Sequence, residues 1–210
     1  METDQLFRVI LACGLAVVLP VGVYHRVRSM ASGERLDRRR EGLFILLTLR
    51  PIALVGMIGL LTFVVNPSRM SWSALPLSLW LRWIGVGIGM AASLLLIWTY
   101  RCLGTNLTDT VVIRKCHKLI TSGPYRFVRH PFYVGAAMAI VANTLVTANW
   151  FIGITGGIVI VLLILRTTTE EEQLTRHFGS EYVTYMSRTG RFFPHILRTS
   201  FAARATEKRI

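Results

Sequence analysis

Apolar residues in this chain gather in long unbroken runs, with neither the alternation of a half-buried strand nor the one-sided stripe of a soluble helix. Runs near residues 6–24, 43–65 and 78–100 are each about 20 residues, the length an α-helix needs to cross about 30 Å of hydrocarbon. A fourth block, residues 132–166, is too long for one crossing. It is interrupted by Thr147-Ala148-Asn149-Trp150, a polar and aromatic break suited to a tight turn at the interface, which predicts two short helices. The pattern as a whole predicts an all-α, polytopic membrane helix bundle of about five transmembrane helices. A cytosolic C-terminal helical segment follows them.

Composition agrees with that reading: 52% of residues are hydrophobic and mean hydropathy is +0.50, in a chain of 210 residues with room for one domain. The net charge of +13 raises nucleic-acid binding until the cations are located. Residues 25–41 hold six, 101–129 six and 166–210 eight, twenty of the twenty-four Lys and Arg, all in connections that five spans place on one side. The opposite connection, residues 66–77, has only Arg69. Such an excess stays in the cytoplasm, so the expected topology is N-terminus outside with the C-terminus and active site cytosolic. The charge reports topology, and no nucleic-acid partner is expected.

The first span also resembles a secretory signal, since Arg8 precedes the apolar core and Ser29-Met30-Ala31-Ser32-Gly33 offers small residues for cleavage. The basic run Arg26, Arg28, Arg35, Arg38, Arg39, Arg40 after that core argues that the span is kept. Cys13 lies within a span, Cys102 and Cys116 fall on the cytosolic side, and no CxxC occurs, so no disulfide framework is expected. No metal is expected either, because His25, His117, His130, His177 and His195 are scattered, with no i, i+4 pair. Gly85/Gly89 and Gly153/Gly157, each four apart, predict close helix packing. Polar residues grow denser toward the C-terminus, which divides the single domain into a three-span scaffold (1–100) and a site-bearing half (101–210).

Two clusters in that half carry chemical information. The first, residues 117–135, runs from a cytosolic loop into the fourth span. Pro131 suits the first helical position and pushes His130 into the conformation of an N-cap. The helix N-terminus, with Arg126 and Arg129 beside it, favours a bound anion; anchoring against lipid headgroups is the competing reading for both arginines, and for Tyr125 and Tyr133. The second cluster, residues 166–185, leaves the fifth span. Leu174 and Phe178 define a packed face, and Arg166 and Glu170 continue that i, i+4 line upstream if the helix is unbroken, so both should point inward. Glu171 and Glu172, rotated off the line, should be solvated. Thr168 and Glu171 also have capping-box spacing. An inward Arg and carboxylate at membrane depth mark a functional site unless they merely neutralise each other. For Tyr182, Tyr185, Arg188 and Arg191, packing of the tail onto the bundle is the expected role.

Taken together, Leu119-Ile-Thr-Ser-Gly-Pro-Tyr125, Arg129-His-Pro-Phe-Tyr133, Glu170-Glu-Glu-Gln-Leu174 and Phe178-Gly-Ser-Glu-Tyr182 resemble the isoprenylcysteine carboxyl methyltransferase and phospholipid methyltransferase superfamily of integral membrane enzymes. The resemblance covers about residues 110–194. It implies an S-adenosyl-L-methionine-dependent methyltransferase. His117, Lys118, Leu119, Ile120 and Tyr125, then His130, Pro131, Phe132 and Tyr133, would bind this cofactor; Glu170 would meet its ammonium, and Arg166 would face the acceptor. Arg166 and Glu170 are thus the candidate catalytic pair. The implied acceptor is a lipophilic small molecule or lipid, most simply a carboxylate. Acceptor-side motifs of the prenylcysteine enzymes are not recognisable, and Thr110 replaces a longer polar side chain, so an amine acceptor, as in phospholipid N-methylation, stays open. A sterol-reductase-like NADPH enzyme and a non-enzymatic scaffold or transporter are the rival readings.

Overall fold

The computed structural model describes residues 2–30, 43–104 and 119–195. Six α-helices appear in this order: α1 Glu2–Met30, α2 Leu43–Val65, α3 Leu79–Leu103, α4 Pro131–Thr147, α5 Trp150–Phe178 and α6 Ser180–Arg188. No strand forms among the described residues; only two isolated bridges do. Four helices contain stretches long and apolar enough to cross a membrane, Thr3–Arg28, Leu47–Val65, Leu79–Leu103 and Trp150–Phe178, and Pro131–Thr147 is a shorter apolar helix beside them. The chain is therefore a multi-pass integral membrane protein with an all-helical fold.

The break in the fourth apolar block is where the sequence places it. Ala148 adopts the left-handed region at φ 48°, and Asn149 caps α5 by accepting from the Ile152 N–H at 3.2 Å. Asn149 Nδ2 also donates to Met70 O (3.2 Å) and Ser73 Oγ (2.8 Å), which fastens the 3-10 turn Pro67–Ser73 over that end of the bundle. Of the two helices this block forms, α4, at 17 residues, is short, whereas α5 runs 29 residues without interruption. The spacing of Thr168 and Glu171 is therefore not a capping box, because the helix passes through it.

Small residues set the helix spacing, as expected where lipid removes the hydrophobic drive for helix association. A Cβ on Gly85 of α3 would lie 2.7 Å from Leu145 Cβ, and one on Gly135 of α4 would lie 2.8 Å from Leu96 Cδ2, so this pair packs backbone against side chain. Between α4 and α5 the close positions are Gly153, against Thr144, and Gly156, against Ile140. Gly157 meets nothing within 4 Å, so the second predicted glycine pair is off by one residue. Helix α1 is an integral part of the bundle, with Phe7 and Leu11 in the core alongside Leu60, Phe63, Met70, Val146 and Ile152.

Arg82 closes the same end. It is buried at the start of α3, donates through Nε and Nη2 to Val146 O at the end of α4, pairs with Asp4 of α1 (2.8 Å), and lies 4.1 Å from the Phe7 ring centroid. At the opposite end the rings of His25, Tyr100 and Phe132 follow one another at 6.0 and 5.8 Å. The end of α1, the end of α3 and the start of α4 thus meet where the basic connections lie.

Candidate functional site

The site is built where α4 begins and α5 leaves the bundle. Gly123, at φ +62° against Cys102 Sγ, opens the 3-10 turn Gly123–Arg126, and the chain then reaches the head of α4. His130 is the N-cap with Pro131 behind it, as expected. Its ring is 4% exposed and stacks on Tyr133 (5.3 Å between centroids, 14° between planes), with Phe192 5.8 Å away. Tyr133 Oη donates to Glu170 Oε2 at 2.7 Å. Helix α4 is thereby tied to the carboxylate that periodicity on α5 turns inward.

Arg166 is buried at 9% exposure and Glu170 is half-buried, in keeping with the inward line, which Leu174 and Phe178 extend as partly buried residues. Glu171, expected in solvent, is instead 6% exposed, whereas Glu172 is exposed. Its carboxylate accepts from Arg129 Nε (2.9 Å) and His130 Nε2 (3.1 Å) at Oε1, and from Arg191 Nη2 at Oε2. The physical reason is a second packing surface. Helix α6 and the segment after it fold back over the head of α4, so α5 is covered on two sides at this level.

That returning segment is stitched down along its length. Gly190 pairs with Val128 in a bridge, Arg129 N–H donates to Gly190 O (2.8 Å) and His130 N–H to Arg191 O (3.1 Å). Arg129 Nη1 donates to Met186 O (3.2 Å) and to Thr189 O. Tyr182 is buried, and Tyr185 Oη donates to Tyr125 O at 2.6 Å. Tail packing is thus the role of both tyrosines, as expected, while Arg191 goes further and reaches Glu171. These contacts also correct the anion site expected at the head of α4: Arg129 and the His130 N–H are satisfied by the protein itself, and Arg126 is exposed over the Phe127 ring.

Burial raises the Tyr125, Tyr182 and Tyr185 hydroxyls above their ordinary value, with Tyr185 pushed up to about 12, so all three are uncharged donors at neutral pH. The Tyr182 hydroxyl finds no hydrogen-bond partner among the described residues. Of the other sequence candidates, Leu119, Ile120, Tyr125, Phe132 and Tyr133 are partly buried and Pro131 is buried, all on the approach to or in the first turn of α4. His117 and Lys118, together with Thr110 and Cys116, lie outside the described residues. Glu171, Arg129 and Arg191 are the members of this cluster that sequence reasoning did not assemble. Two arginines flanking the site in sequence, with several carboxylates nearby, were the available signal.

Residues 84–176 match the model of the isoprenylcysteine carboxyl methyltransferase (ICMT) family, a range that runs from α3 through Glu170 and Glu171. Comparison with curated protein sequences returns no significant match. The fold is similar to that of the eukaryotic intramembrane Ras methyltransferase ICMT, with a TM-score of 0.50 and 16% identity over 89% of this chain and 72% of that one. The stretch similar to the isoprenylcysteine carboxyl methyltransferase family thus spans both halves of the site, and the polytopic helical fold around it is similar to that of an intramembrane methyltransferase.

Proposed function

We propose that the chain transfers a methyl group from S-adenosyl-L-methionine to a lipophilic acceptor, most simply a carboxylate, at the basic end of the bundle. The Tyr133–Glu170 contact carries this reading, because it places a half-buried carboxylate against the aromatic head of α4. A carboxylate suits the cationic ammonium of that donor, and the aromatic rings of Phe132 and Tyr133, with His130 packed behind them, suit its flat base. When bound, the donor supplies an electrophilic methyl on a sulfonium.

The residues around it then act by positioning. Tyr133 orients Glu170, and Leu119, Ile120 and Tyr125 present the loop before α4; His117 and Lys118, which precede them in sequence, would contact the donor as the resemblance implies. Arg166 orients an ionised acceptor without removing a proton, and the lipid-facing walls exclude water from an in-line displacement. An amine acceptor would need a base in addition, which makes the carboxylate the simpler reading. Residues 1–100 serve as scaffold and 101–210 as the site-bearing half. The excess of cations at the site end supports a cytosolic active site and C-terminus, with the N-terminus outside. Transfer of labelled methyl groups from S-adenosyl-L-methionine to a lipid extract, with identification of the product, tests the proposal. Absence of donor binding by calorimetry would overturn it.

A further inference from the structure

The Glu171 carboxylate accepts hydrogen bonds from three basic side chains, two from the loop that leads into α4 and one from the returning C-terminal segment. A carboxylate can only accept, so the His130 nitrogen 3.1 Å from it, Nε2, carries the proton. The charge state of that ring follows from its neighbours. Arg129 and Arg191 already exceed the single negative charge of Glu171, Arg166 and Glu170 on the same helix add one charge of each sign, and burial keeps Tyr182 and Tyr185 uncharged. A protonated imidazole would add a further cation to a buried cluster that is already positive. The ring lies stacked on Tyr133 and bordered by Phe192, and the backbone beside it is fixed by the bond from His130 N–H to Arg191 O and by Pro131.

We infer that Glu171 is a positioning residue that holds His130 as the neutral tautomer protonated on Nε2, so that Nδ1 is the ring's hydrogen-bond acceptor. Resting on the reading of residues 130–133 as part of the donor site, this assigns His130 the task of accepting from an N–H or O–H of the methyl donor. The same carboxylate joins the loop, α4 and the C-terminal segment, so the tautomer and the closure of that segment over α4 are set together.

The test uses the full-length protein in nanodiscs with 15N-labelled histidine, and His130→Gln to assign the ring signals. The expected spectrum has a protonated Nε2 and a bare Nδ1. Glu171→Gln, which keeps shape and loses charge, should shift that signal toward a mixture and raise the donor KM about 10- to 100-fold, as loss of a charge-assisted hydrogen bond implies, with a smaller change in kcat. Glu171→Asp should recover part of both, and Glu171→Gln should add little in a His130→Gln background. A protonated Nδ1 in the unmodified protein, or an unchanged tautomer and donor KM in Glu171→Gln, would overturn the inference. The spectrum needs no turnover: a bare Nδ1 in a protein that fails to bind the donor would leave the tautomer assignment standing and remove only the donor reading.

Discussion

Tyr133, in the first turn of α4, donates a hydrogen bond from its hydroxyl to Glu170 Oε2 on α5 at 2.7 Å. Neither residue is held by its own helix alone, so the geometry at Glu170 depends on the α4–α5 contact being closed. Tyr133→Phe should therefore weaken donor binding by about 1 kcal/mol, roughly fivefold. Glu170→Gln, which removes the charge itself, should weaken it by about 10- to 100-fold. Calorimetric titration of both variants checks the order; equal losses would separate Tyr133 from the role of orienting Glu170.

At the other end of the bundle, Arg82→Ala should lower stability by about 3 kcal/mol, because it leaves Val146 O without its donor and removes the partner of Asp4. Asp4→Asn should cost no more than about 1 kcal/mol, since the Asp4 side chain is 45% exposed and solvent screens the pair. Thermal unfolding in detergent distinguishes the two. Donor affinity of the folded fraction should be unchanged in both, the site being at the opposite end.

The glycines give a graded packing series. Gly85→Ala places a Cβ 2.7 Å from Leu145 Cβ and 3.1 Å from a backbone nitrogen, which should cost about 1–3 kcal/mol. Gly157→Ala and Gly87→Ala meet nothing within 4 Å in helices and should be neutral or stabilising by up to about 1 kcal/mol. Melting temperatures of the three variants read the contrast directly.

The buried tyrosines predict the alkaline limit of the fold. Burial raises Tyr125, Tyr182 and Tyr185 in the folded protein, with Tyr185 at about 12 against an ordinary value of 10.0. The unfolded chain ionises first, so the stability these groups contribute is fully present below about pH 10 and is lost as pH rises toward 12. Tyrosinate absorbance should show these residues titrating late and together with loss of helix. Tyr185→Phe should remove one late-titrating group, together with the bond to Tyr125 O.

Much of this arrangement is readable from sequence where a single backbone rule decides the outcome. The Ala148–Asn149 turn and the His130–Pro131 helix start follow from local conformational preference. Arg166 and Glu170 follow from helical period, because the bundle interior is the one surface such a period can report. Glu171 fails that rule because its burial comes from α6 and residues 189–193, a second surface that folds back from further along the chain, with Arg191 lying 20 residues downstream. Arg129 and Arg191 are visible as cations, but their shared partner is a matter of tertiary pairing. The anion site expected beside them disappears for the same reason.

The brevity of α4 has a consequence for where in the bilayer the reaction lies. Seventeen residues rise only about 25 Å, some 5 Å less than the hydrocarbon thickness. If the Ala148–Asn149 turn sits at one leaflet boundary, His130 and Tyr133 begin below the other, at the depth of acyl-chain ends nearest the glycerol. Helix α5, at 29 residues, passes that level and carries Glu170 and Glu171 alongside. The proposed site is then a recess sunk into the leaflet, and an acceptor diffusing laterally with its chain still among the lipids would reach it without first partitioning into water.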